Sequence, residues 1–218
     1  MGKTTTLHQI AEYQKGPVLY CTTEMTEAQW VRRSGAQVLQ VPMSKLGDIK
    51  YIKEHEADWV RASALLAEGS IHVIVGSITP SQIYAEAMKI DNLQLIIVDY
   101  LQRLRGVEAS YNSVSMASRA LADIAKDTNI PLIVASQLSR DFEKDGKKKP
   151  YLDRLKDSGN IENDADLVMF VERNKDARPG TPERLLASIF VAKHKQGGEH
   201  IEVKLRFDPK TQRYEEIA

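Results

Sequence analysis

Short apolar runs bounded by turn residues recur along the chain, at Pro17–Cys21, Ile71–Gly76, Leu95–Val98, Pro131–Ala135, Leu167–Val171, Ser188–Ala192 and Ile201–Phe207. Runs of this length between breakers predict strands. Several are separated by segments with helical spacing. The clearest is Val114, Ala117, Leu121, Ile124 and Ala125, which predicts a helix ending at Asn129, just ahead of Ile130-Pro131. Strand and helix in alternation predict an α/β fold in which a mostly parallel sheet is flanked by helices. The last two runs follow each other without a helix, and Phe207-Asp208-Pro209-Lys210-Thr211 reads as a hairpin turn. An antiparallel hairpin is therefore expected at the C-terminal edge. Asp141–Arg154 and Asn174–Glu183, rich in charge, Pro and Gly, read as loops.

Composition narrows the picture. The 218 residues are 42% hydrophobic, enough for one sizeable core and short of the length that forces two. Thirty basic residues balance thirty acidic ones, so any contact with nucleic acid must come from a local patch. The single Cys21 permits no internal disulfide and no cysteine metal cluster, which points to a reducing compartment. No apolar run approaches the ~20 residues of a membrane span. A cytoplasmic protein without membrane attachment is expected.

Chemistry enters with Gly2-Lys3-Thr4. These residues match the second half of a phosphate-binding loop, in which the Lys reaches the terminal phosphates and the Thr hydroxyl holds Mg²⁺. Two strand-end acids keep this stretch company. Leu95-Ile96-Ile97-Val98-Asp99 places a carboxylate where a phosphate-bound Mg²⁺ would sit, although Asp99 starting a turn accounts for the same letters. Val18-Leu19-Tyr20-Cys21-Thr22-Thr23-Glu24 ends in a Glu able to orient or deprotonate an attacking water, or merely to open the helix near Thr26. A third strand runs into Ala135-Ser136-Gln137, whose amide would reach a γ-phosphate. Three strands thus end in polar groups of the right type on one edge.

The stretches MGKTT, CTTEM, IIVDYLQRL, PLIVASQLSRDFE, LKDSGNIENDADLVMFVER and AKHKQGG stand in the order and near the spacing of one family. Over Met1 to about Ile217 the chain resembles the C-terminal motor domain of the DnaB-type replicative helicases, a branch of the RecA-like P-loop ATPases. The resemblance implies an ATP- and Mg²⁺-dependent motor that translocates on single-stranded DNA and unwinds duplex as a homo-hexamer. A primase or a helicase loader would be its partner. It also implies site roles. Gly2, Lys3, Thr4 and Thr5 would hold nucleotide, Thr4 and Asp99 the metal, Glu24 would be the catalytic base and Gln137 the γ-phosphate sensor. Arg33 would lie near the nucleotide, and Lys193 and Lys195 would reach a neighbouring subunit's site, with Lys195 standing where the family usually has Arg. Lys156, Asp157, Ser158 and Gly159 would line the channel and hold DNA phosphates.

Two other readings compete: a recombinase-like or clock-type RecA relative that does not unwind DNA, and a truncated domain that binds DNA or a partner without turnover. No strand precedes Gly2 in the sequence, and the first half of the loop is not in it. The expectation for the chain as written is accordingly one motor domain without its first strand or a collar domain. Weak ATP binding and no unaided unwinding are expected of it.

Overall fold

The structure, a computed structural model, describes residues 2–57, 59–60, 71–108, 110–137, 161–174, 177–198 and 201–217. In chain order the elements are helix α1 (Lys3–Tyr13), strand β1 (Val18–Thr22), helices α2 (Glu27–Leu39) and α3 (Ile49–Glu54), and strand β2 (Ile71–Val75). There follow α4 (Pro80–Ala87), β3 (Leu95–Asp99), α5 (Tyr111–Thr128), β4 (Leu132–Val134) and α6 (Ile161–Asp164). Strands β5 (Leu167–Arg173), β6 (Leu186–His194), β7 (Glu202–Asp208) and β8 (Arg213–Glu216) complete the chain.

Strands β1 to β4 form a parallel sheet in the order β2-β1-β3-β4. Its two central strands are buried along their whole length because both faces are covered. Leu19, Cys21, Ile96 and Val98 point into a core shared with α4 and α5, through Ile83, Val114, Ala117, Leu121 and Ile124. Their neighbours Val18, Tyr20, Leu95 and Ile97 pack on the other face against Leu7 and Ala11 of α1 and Trp30 of α2. The helices start where short polar side chains take up free N–H groups. Thr26 and Gln29 form a reciprocal capping box on α2, Thr79 and Gln82 another on α4, and Ser110 accepts from Ser113 N–H at the start of α5. As the spacing predicts, α5 ends at Asn129, which takes the left-handed conformation at φ 54°.

The C-terminal third departs from the expected single sheet with an edge hairpin. Strands β5 to β8 make a separate four-stranded antiparallel sheet in sequence order. The reason lies between Arg173 and Leu186. A parallel return needs a crossover, usually a helix, but this connection carries Pro179, Gly180 and Pro182, and its described residues hold only one 3₁₀ turn, Pro182–Leu185. The chain therefore doubles back on itself. The predicted hairpin turn after Phe207 is present, with the Asp208 carboxylate accepting from Lys210 N–H at 2.9 Å and Thr211 N–H at 3.3 Å. It leads into β8, a strand with only one apolar side chain, Tyr214.

The two sheets meet at α1. The Gln9 amide pairs with the backbone of Tyr214, donating to its carbonyl at 3.0 Å and accepting from its N–H at 2.7 Å. Gln37 of α2 donates to Gln212 O at 2.6 Å, and Arg213 donates to Gln37 O at 2.9 Å and lies 3.4 Å from the Glu12 carboxylate. Among the described residues no helix is long and apolar enough to cross a membrane.

Candidate functional site

Parallel register brings the sequence-predicted groups to one edge. Thr22 pairs with Asp99 across β1 and β3, so Glu24 lies just beyond the same rung, and Val98 pairs with Val134, so Ser136 and Gln137 leave β4 at that level. Thr23 locks the β1 and β3 exits together: its N–H and its hydroxyl both donate to Asp99 O, at 2.9 and 3.1 Å. Against this edge stands the N-terminus of α1. Gly2 caps it with φ 113°, a conformation open to glycine, and a Cβ there would fall 2.0 Å from Tyr214 Oη.

Four of the predicted residues meet here. Asp99 is 3% exposed, and burial raises its carboxyl above the ordinary value. A hydrogen bond from Thr4 opposes that shift, the nearby Glu24 charge adds to it, and Tyr20 and Lys3 pull it back down. Lys3, Thr4, Glu24 and Asp99 thus share one electrostatic neighbourhood. The Tyr20 hydroxyl, itself fully buried, donates to Asp99 Oδ2 at 3.4 Å. Glu24 is exposed, with Arg103 Nε 4.0 Å from its Oε1.

The donor set fits a hard divalent cation. The Thr4 hydroxyl and the Asp99 carboxylate offer two adjoining oxygens, few enough that the remaining positions would fall to phosphate and water, as Mg²⁺ prefers. Among the described residues no cluster of three or more His, Cys, Asp or Glu is placed to build an all-protein metal cage. The first turn of α1, with its outward N–H groups and Lys3 beside them, is suited to phosphate oxygens.

The other predicted residues are distributed as follows. Gln137 is exposed at the end of β4, its backbone N–H bonded to Gln102 Oε1 at 3.1 Å. Thr5 is turned inward and buried, and its hydroxyl accepts from Arg33 Nη1 at 3.1 Å. Arg33 therefore braces the back of α1 rather than standing on a solvated helix face. Burial lowers its pKa, against the influence of Tyr20 and Asp99. Lys193 lies on β6 and Lys195 just past its end, and they are not brought to Lys3 and Asp99. Lys193 donates to Glu162 O, and Lys195 pairs with Asp166 at 2.6 Å. Lys156, Asp157, Ser158 and Gly159 lie outside the described residues. Tyr20, Gln102 and Arg103 are polar neighbours of the site that the sequence did not single out; each depends on which strand lies beside which.

The fold has solved counterparts. One solved ATPase domain superposes with a TM-score of 0.85 at 24% identity, covering all of this chain and 81% of that one. A RadB recombinase superposes less closely, at 0.62 and 17%, covering all of this chain and 86% of that one. The class defined by the parallel sheet and its flanking helices is thus the RecA-like fold. The family model for the DnaB-like helicase C-terminal domain matches residues 1–216, and the chain belongs to that family. The replicative DNA helicase DnaB of Buchnera aphidicola subsp. Acyrthosiphon pisum is 33% identical over 214 residues, covering 90% of this chain and 46% of that protein. Its counterpart in Haemophilus influenzae is 28% identical over 232 residues, covering 100% and 49%. The chain spans about half the length of the curated relatives it matches.

Proposed function

We propose that this chain is the ATP-hydrolysing motor unit of a replicative DNA helicase. The observation that carries the reading is the meeting of Lys3, Thr4, Glu24 and Asp99 at the carboxyl edge of β1 and β3, against the N-terminus of α1. Lys3 and the first N–H groups of α1 bind the phosphates, while Thr4 and Asp99 hold the metal. Mg²⁺, when bound there, would supply charge neutralisation to the nucleotide's phosphates. Glu24 orients the attacking water and accepts its proton; its exposure at the strand end leaves room for that water. Gln137 contacts the γ-phosphate, and Arg33 steadies the phosphate helix through Thr5.

The wider reading rests on family membership. Lys156, Asp157, Ser158 and Gly159 bind single-stranded DNA phosphates in a homo-hexameric ring, and Lys193 and Lys195 reach the adjacent subunit's nucleotide. One structural neighbour is a DnaB-like replicative helicase solved with its interactions with primase, and a primase or a loader is the partner proposed here. The cytoplasm is the proposed location.

The test is ATP hydrolysis with and without single-stranded DNA, alongside nucleotide titration into the millimolar range. Glu24→Gln should lose about 10²-fold or more in turnover while keeping nucleotide affinity within about twofold. Turnover equal to the parent's would remove Glu24 from the base role, and with it the proposed mechanism.

A further inference from the structure

We infer that Gln102 is a positioning residue for the γ-phosphate-sensing segment, a side-chain rung that holds Ser136 and Gln137 in place once the strand ladder has ended. The inference rests on the proposed role of Gln137 and adds the residue that makes that role geometrically possible.

Backbone pairing between β3 and β4 stops at Val98 and Val134, followed by one further bond from Ala135 N–H to Val98 O at 2.9 Å. Beyond it β3 leaves the sheet as a 3₁₀ turn, Leu101–Arg103, and no longer offers strand backbone to its neighbour. Leu101 N–H reaches back to Ala135 O at 3.0 Å. The Gln102 amide then takes over. Its Oε1 accepts from Gln137 N–H at 3.1 Å, and its Nε2 donates to Gln137 O at 3.2 Å and to Ser136 Oγ at 2.9 Å. A primary amide has two N–H donors and a carbonyl. Here both kinds of group are engaged, and toward Gln137 they reproduce the donor and acceptor pair that an antiparallel strand residue would present.

This clamp has a firm base. Leu101, the residue before Gln102, is fully buried in the core beneath β1 and β3, so the turn cannot drift without opening that core. Asp99 precedes Gln102 by three residues. The same short turn therefore fixes the distance between the acid proposed for the metal and the segment proposed to read the γ-phosphate. Gln137 itself is exposed, and its side chain can aim reproducibly only if its own backbone is held.

The experiment measures the affinities of the full chain for ADP and for ATPγS, both with saturating Mg²⁺, and takes their ratio as the readout. Gln102→Ala removes all three bonds. Gln102→Glu keeps the acceptor for Gln137 N–H but sets a carboxylate oxygen against Gln137 O. Both variants should leave ADP affinity within about twofold and reduce the preference for ATPγS about tenfold, the loss expected for roughly two ordinary hydrogen bonds. Gln137→Ala should lose the same preference, and adding it to Gln102→Ala should cost nothing more, since the two act through one contact. Loss of preference in Gln137→Ala but not in either Gln102 variant overturns the clamp alone. An unchanged ratio in Gln137→Ala overturns the sensor reading and the clamp with it. Equal weakening of both ligands in both Gln102 variants, the mark of general loosening, also overturns the clamp.

Discussion

His8 and Glu12 lie one turn apart on the inward side of α1, and burial moves their protonation in opposite directions. Burial, assisted by the Arg33 charge, holds His8 at about 3 from an ordinary 6.5. Burial pushes Glu12 up to about 7 from 4.5, against the pull of Arg213. The signs follow from linkage. Glu12 contributes stability that is fully present below pH 4.5 and is lost as pH rises toward about 7. His8 contributes stability that is present above pH 6.5 and is lost as pH falls toward about 3. Across the shared window, pH 4.5 to 6.5, the two slopes oppose each other and largely cancel. Glu12→Gln removes one of them. The variant should gain on the parent by about 3 kcal/mol between roughly pH 4 and pH 8, since a tenfold change in proton affinity between the folded and unfolded chain is worth about 1.4 kcal/mol. What it loses in packing or in the contact with Arg213 adds an offset without this slope. Urea unfolding followed by the fluorescence of buried Trp30 at a series of pH values reads the difference directly. A difference between variant and parent that stays constant over that range would refute the assignment of Glu12 as a carboxyl held protonated by burial.

Two further outcomes are expected. Gly2→Ala forces φ 113° on an L-residue and drives its Cβ toward Tyr214 Oη, so melting should fall by several degrees, corresponding to about 1–3 kcal/mol. Tyr214→Phe in the same chain should recover the steric part and leave the backbone part, and an unchanged melting temperature in Gly2→Ala would contradict the close approach. Lys156→Ala should weaken single-strand binding and lower the slope of log affinity against log salt by about 0.7; an identical slope in parent and variant would discard that loop as a phosphate contact.

The parts of the fold written in local pattern are legible in the sequence. β1 and β3 announce themselves because both faces are buried, so nearly every position is apolar, and α5 because its buried positions recur with helical spacing up to Asn129. Asp99 and Glu24 are legible as strand-end acids. β8 is not, since Arg213–Glu216 carries one apolar residue and is held by Gln9, 205 positions away. The size of the antiparallel sheet is hidden for a related reason: an apolar run does not say in which direction its neighbour runs, and that depends on the connection after Arg173. Gln102 and Tyr20 carry no local signal because their partners are set by register between strands, 35 and 79 residues distant. The segment proposed to bind DNA, Lys156 to Gly159, lies outside the described residues, and its assignment rests on its motif.

The paired hydrogen bonds between Gln9 and Tyr214 also set an order of events during synthesis. Helix α1 leaves the ribosome well before the strand that clamps it, 205 residues further on, so that contact is among the last to become available. The Gln9 side of α1 is therefore secured late, and amide protection in the middle of α1 should rise further when β8 pairs with it, beyond what packing on β1 and β3 provides. A nascent chain that has already built its parallel sheet would still lack the antiparallel sheet's hold on α1 until β8 arrives.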